Sequence, residues 1–158
     1  MRRPHTPTKL VSAAALFFNA AGELLIVKPH YRKGWLLPGG VVESNEAPLH
    51  GVIREVKEEL NLEVSGLLLA AVDFSHERPG DFFKTDKISF LFRGGELSDK
   101  QIESIELLDG EILEYRFVSP EEALTLLIEP HAIRAKTVID PKLDQAAVHY
   151  LHNGELVY

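Results

Sequence analysis

Apolar residues fall first in continuous runs, then on a helical stripe, then in runs again. "LVSAAALFF" (10–18) and "ELLIVK" (23–28) predict two strands around the turn "NAAG". "GWLLPGGVVE" (34–43) reads as a short extended run broken by Pro38, Gly39 and Gly40. From Asn45 the period changes, and Leu49, Val52, Ile53, Val56 and Leu60 recur at helical spacing along one face. Ser44 or Asn45 is the expected cap, Pro48 is tolerated in the first turn, and Asn61 suits a left-handed stop. "LEVSGLLLAAVDF" and "KISFLFRG" predict strands joined by the polar loop "SHERPGDFFKTD". A further strand, "EILEYRFV", leads into "SPEEALTLL", where Ser119 caps and Pro120 opens a helix. Helix is expected from about Pro130 to Tyr150, interrupted near Asp140 and Pro141, with "GELVY" as a last strand. The order strands, helix, strands, helix predicts an α/β fold, a mixed β-sheet with helices on its faces. Residues 1–8 hold two prolines and no periodicity, so a flexible N-terminus is expected ahead of a single domain at 9–158.

Composition narrows the function classes. With 158 residues, 45% hydrophobic and 26% charged, the chain can bury a sizeable core. No segment approaches the roughly 20 apolar residues of a membrane span, and the start does not follow the order of a signal peptide. There is no cysteine, which excludes a disulfide framework, a thiolate zinc site and a cysteine nucleophile, and fits a reducing, cytoplasmic setting. Net charge −7 argues against broad binding to a nucleic-acid backbone, though not against a small phosphorylated ligand held through a metal. The seven histidines are scattered without metal-ligand spacing.

The predicted helix after Asn45 carries an electrostatic oddity. At about 100° per residue, Glu55, Glu58 and Glu59 share one arc, where like charges cost a few tenths of a kcal/mol per pair. A hard divalent cation reverses that sign, because Mg²⁺ is bound by carboxylate oxygens and keeps waters for a substrate's phosphates. Gly51 lies on the same arc, leaving room for a ligand or another backbone segment. Alone, "EVKEEL" is an ordinary solvated helix face, with Lys57 as a partner. Its neighbours decide otherwise. The full pattern runs Gly40, five residues, Glu46, seven residues, Arg54-Glu55-Val56, one residue, Glu58-Glu59, and on to Leu62.

This spacing resembles the signature of the Nudix hydrolase family, and "WLLPGG" ahead of it is also typical. The departure is Asn61, where the signature has glycine. The resemblance implies an α/β/α sandwich and Mg²⁺- or Mn²⁺-dependent hydrolysis of a nucleoside diphosphate linked to another moiety. It implies metal ligands at Glu55, Glu58 and Glu59, joined by the Gly40 carbonyl, with Glu46 and Arg54 orienting the loop and the carboxylates. The general base is then either Glu55 or a later acid, Glu111 or Glu114, with Asp109 in the same loop.

Substrate recognition is less determined. "KPHYRKGW" offers Lys28, His30, Tyr31, Arg32, Lys33 and Trp35, of which Arg32 suits a phosphate and Trp35 a base. Arg78 and Phe82 or Phe83 are candidates to close over a ligand. Pro79 lies 79 − 62 = 17 residues after Leu62, close to where related ADP-ribose hydrolases tend to place a proline. The expected substrate is a nucleoside triphosphate or a nucleotide sugar such as ADP-ribose. Two rivals stand beside this: a non-catalytic Nudix-fold nucleotide sensor, and a pyrophosphohydrolase acting on RNA 5′ ends. The apolar tail from 126 to 151 packs on the chain's own sheet or forms a homodimer.

Overall fold

The computed structural model describes residues 6–158. Most of the flexible segment expected at 1–8 therefore lies outside the described residues, while Thr6, Pro7 and Thr8 are exposed and without regular structure. The elements run β1 (Leu10–Phe18), β2 (Leu24–Pro29), β3 (Gly39–Val41), α1 (Pro48–Leu60), β4 (Leu68–Ser75), β5 (Lys87–Glu96), α2 (Asp99–Glu103), β6 (Ile112–Val118), α3 (Pro120–Leu126), α4 (Glu129–Ile139), β7 (His149–His152) and β8 (Glu155–Leu156). The strands form one sheet in the order β6-β2-β1-β5-β4-β7-β8, with β3 added to β1. β1 runs parallel to β5 and β4 parallel to β7, and the other pairs are antiparallel, so the sheet is mixed.

Strand alternation divides the central residues between two cores. Ala13, Ala15, Phe17, Leu25 and Val27 face α1, where Val52, Val56 and Leu60 meet them. Leu16, Leu24 and Ile26 face the other way, against Ala123, Leu127, Ala135 and Val138 of α3 and α4 and the residue after α3. Both faces of β1 and β2 are thus buried, which is why those strands read as unbroken apolar runs. The result is an α/β/α sandwich.

Several local expectations are corrected. Neither Ser44 nor Asn45 caps α1; Ala47 is the cap residue, with no side-chain bond, and Pro48 opens the helix. The chain turns sharply first, with Asn45 at φ 61° and Glu46 N–H donating to the Glu43 carbonyl. Asn61 does stop the helix in the left-handed region, at φ 55°. β4 begins only at Leu68, because residues 61–67 cross over the first core and pack Leu62 and Leu67 into it. Helix α2 escaped the apolar pattern because it is one turn long and none of its residues is buried. Its local signal is a capping box, Ser98 and Gln101 bonding each other's backbone. The helix expected up to Tyr150 ends at Ile139, and residues 149–152 are instead a strand. Asn153 and Gly154, at φ 52° and 80°, make a hairpin turn there, the pairing that an Asn-Gly step favours.

Gly39 sits at φ 148°, where a Cβ would press into the Ala13 carbonyl of β1. Gly39→Ala therefore pushes β3 off β1, and is expected to cost about 2 kcal/mol or more. Thermal unfolding checks this, with a fall in Tm of several degrees expected.

Candidate active site

The site is built where β3 and the loop after it meet the middle and last turns of α1. Arg54, at its centre, grips the loop with one edge of its guanidinium: Nε donates to Glu46 Oε2 at 2.8 Å and Nη2 to Glu46 Oε1 at 3.0 Å. Nη2 also reaches the Val41 carbonyl at 3.1 Å. Nη1 turns to the helix acids, 3.1 Å from Glu55 Oε1 and 3.2 Å from Glu58 Oε2. The Arg54 guanidinium, aided by the Glu43 backbone N–H, pulls the Glu46 carboxyl down to about 2. Glu46 is thereby a fixed anion, tied to Arg54 through both carboxylate oxygens.

Two glycines make the space. A Cβ on Gly40 would lie 2.5–2.8 Å from the carboxyl atoms of Glu55. A Cβ on Gly51 would lie 2.9 Å from Glu46 Oε1 and 3.2 Å from Val42 Cγ2. The gap at Gly51 is thus taken by the Glu46 side chain, not by a ligand or a second backbone segment.

Glu59 behaves differently from its neighbours. It is 4% exposed and accepts one hydrogen bond, from Gly39 N–H at 3.2 Å. Burial pushes its carboxyl up to about 9, with Glu55, Glu111 and Asp109 adding to the rise. Glu55 is raised as well, again chiefly by burial and against the pull of Arg54. Among the described residues no three acids converge as ligands of one ion, because Arg54 holds Glu55 and Glu58 while Glu59 turns to Gly39. The donor set nonetheless fits a hard divalent cation: carboxylates at 55, 58 and 59, next to the Gly40 backbone, with more negative charge than Arg54 alone offsets.

The later acids separate. Glu111 acts electrostatically on Glu55 and Glu59, and Asp109 on Glu59, so both acids lie within electrostatic reach of the cluster. His30 secures their loop, its N–H donating to the Glu111 carbonyl at 2.9 Å with a ring nitrogen 3.2 Å from the same oxygen. Glu114 is drawn off by Arg116, at 2.7 Å.

The proposed substrate residues scatter. Arg32 is exposed and lies near both Tyr31 and His131, on whose protonation its charge acts. Trp35 is 7% exposed, with the Arg116 guanidinium 4.8 Å and Lys28 Nζ 5.9 Å from its ring centroid. Its aromatic face already carries two cations. Arg78 and Phe83 sit on the β4–β5 loop, Phe83 against the exposed Phe82 at 5.0 Å, and no hydrogen bond or ion pair ties the Arg78 side chain to the glutamates among the described residues.

Tyr31, offered by the "KPHYRKGW" stretch, is exposed, and desolvation together with the charges of Glu59 and Glu111 raises its phenol. His131 is the residue that escaped the sequence pattern. His131 Nδ1 accepts the Leu37 N–H at 3.0 Å, tying α4 to the segment just before Gly39. Burial, with the Arg134 and Arg32 cations, pushes His131 down to about 3, so it stays a neutral acceptor. No spacing could reveal His131, because it acts across a contact made only in the fold.

Residues 8–140 match the NUDIX domain model, and the chain belongs to that family as a Nudix hydrolase. It is 30% identical over 136 residues to a MutT-like protein of Streptomyces ambofaciens, covering 85% of this chain and 79% of that one. Among solved structures it is similar to a MutT protein from Methanosarcina mazei Go1, with TM-score 0.64 and 27% identity over 82% of this chain and 91% of the other. The E. coli dihydroneopterin triphosphate pyrophosphohydrolase shares the fold, with TM-score 0.67, 19% identity, and 82% and 94% covered.

The pH behaviour of Glu59 is a direct test of this electrostatic reading. Its carboxyl binds a proton in the folded chain up to about 9 and in the unfolded chain only up to its usual 4.5. Between those values the folded state holds more protons, so this group's contribution is full below about 4.5 and is lost as pH rises toward 9. In metal-free protein, Glu59→Gln is expected to raise Tm at pH 8 and to converge with the parent near pH 4.5. Calorimetry across that range checks it, and added Mg²⁺ should stabilise the parent more than the variant.

Proposed function

We propose that this chain is a metal-dependent pyrophosphohydrolase for a small nucleotide, cleaving a nucleoside diphosphate from a second moiety. The observation that carries the reading is the Arg54 clamp. It fixes Glu46 as an anion and holds Glu55 and Glu58 together while Glu59 stays buried beside them. A chain with no cation to bind gains nothing from that concentration of acids.

Glu55, Glu58 and Glu59, with the Gly40 carbonyl, are the residues that would hold Mg²⁺ or Mn²⁺. When bound, the ion neutralises diphosphate charge and favours a hydroxide-like water. The chain's own residues supply the remainder. Arg54 sets the direction of Glu55 and Glu58, and Gly40 leaves Glu55 free to approach the loop. Glu111, held by His30 and within electrostatic reach of the cluster, is the acid we assign to accept the proton from the attacking water. Glu55 is the other acid in reach, and Glu114 is not assigned because Arg116 holds it. Arg32 and Tyr31, both exposed, are the residues we assign to meet phosphate oxygens or the leaving group.

The substrate assigned is either a nucleoside triphosphate or a nucleotide sugar such as ADP-ribose, since proteins of similar fold include a dihydroneopterin triphosphate pyrophosphohydrolase and a domain complexed with ADP ribose. A panel of triphosphates, nucleotide sugars, dinucleotides and 5′-triphosphorylated RNA, incubated with Mg²⁺, tests the proposal. The expected outcome is cleavage of one small-nucleotide class, lost by a factor of about 10² or more in Glu58→Gln. Nucleotide affinity that survives Glu58→Gln without any product would identify a sensor instead. Preference for the RNA, with binding that weakens steeply in salt, would identify an RNA-end enzyme.

Glu111→Gln separates the two bases. A fall in kcat of about 10²–10⁴ with KM little changed supports Glu111, whereas near-normal turnover moves the role to Glu55.

A further inference from the structure

At the other end of the sheet, a cleft of about 650 Å³ opens between the ends of β1 and β5 and the helices α3 and α4. It is separate from the carboxylates: β1 meets Gly40 and Gly39 at Ala13 and Ala14, whereas the cleft begins at Leu16 and Phe18. Its volume lies within the roughly 300–1,000 Å³ of small-molecule sites. The wall is mainly apolar, with Leu16, Phe18, Leu124 and Ile139 contributing.

One strong cation enters this wall. Arg93 lies opposite Leu16 in the β1–β5 ladder. Its Nη1 reaches the Ala147 carbonyl at 3.5 Å, the limit of a hydrogen bond. Its Nε and Nη2 are covered and have no hydrogen-bond partner among the described residues. Those two atoms form the same edge with which Arg54 holds both oxygens of Glu46. A guanidinium edge withdrawn from water without acceptors is costly. Asp144 is close enough to attract it, but Asp144 Oδ1 accepts the Ala146 N–H at 2.9 Å and makes no ion pair with Arg93. Lys136 adds positive charge to the rim, and Asp140 is occupied by the Lys142 N–H. The planar fork favours a carboxylate, which it can bind through two parallel hydrogen bonds.

We propose that this cleft binds a small amphipathic carboxylate, its oxygens on the Nε–Nη2 edge of Arg93 and its apolar body along Leu16, Leu124 and Ile139. Because the edge is covered in the ligand-free arrangement, binding turns the Arg93 head out from beneath residues 144–147. The proposal is independent of the reaction assigned to the glutamates.

Titration of the ¹⁵N-labelled protein with octanoate, 1-naphthoate and octan-1-ol tests it. The expected result is a saturable shift of the Arg93 Nε–H signal together with the amides of Leu124 and Ile139. Tighter binding of octanoate marks an alkyl ligand and tighter binding of naphthoate an aryl one; either supports the site. Octan-1-ol is expected to bind at least about tenfold more weakly, and Arg93→Gln to lose about tenfold to a hundredfold. Equal binding of the alcohol, shifts confined to α1, or no saturation by roughly 10 mM carboxylate overturns the proposal. So does a ligand-free Arg93 Nε signal that moves in Asp144→Asn while neither carboxylate perturbs it, since that marks an internal ion pair. The parent titration reads Arg93 directly, so the test stands even where Arg93→Gln does not fold.

Discussion

Everything at the carboxylate site depends on one guanidinium. Arg54 joins groups from three segments: the Val41 carbonyl of β3, Glu46 of the loop, and Glu55 and Glu58 of α1. Such charge-assisted, two-pronged bonds are stronger than neutral ones and fix direction as well as distance. The helix alone would lose by gathering its acids, and the loop alone would have no reason to fold back. Arg54 makes each condition the remedy for the other. It also explains the late start of the helix, since Glu46 must leave the helical path to reach the arginine's side edge.

Four of the glutamates near Arg54 and Gly39 are chemically alike and physically distinct. Glu46 is the permanent anion, Glu55 is shared between burial and the arginine, Glu58 faces water, and Glu59 is enclosed. Environment, not residue type, sorts their proton affinities. A site that is to exchange a proton for a cation needs both kinds: anions that draw the ion in and a buried acid that gives way to it.

Much of this was legible along the chain because it is local. Gly40, Glu46, Arg54, Glu55, Glu58 and Glu59 lie within one consecutive strand, loop and helix, so their spacing marks the segment that forms the site. The doubly buried strands also showed, as unbroken apolar runs. What could not be read depends on contacts between distant segments. His131 meets Leu37 across 94 positions, and His30 meets Glu111 across 81. Trp35 looked like a stacking surface because sequence does not reveal burial, and Arg116 and Lys28 already cover it. The strand at 149–152 is hidden for a different reason: the apolar spacing ahead of it suits a helix equally well.

The buried pair of Asp73 and Arg134 has a consequence for how the chain is made. Asp73, 2% exposed, accepts Arg134 Nε at 2.7 Å and the Gly154 N–H at 3.0 Å. Those partners lie 61 and 81 positions later. A chain emerging from the ribosome presents the central acid of β4 well before anything can neutralise it. Until α4 and the β7–β8 hairpin arrive, that acid has neither of these partners, and burying it alone in the sheet is costly.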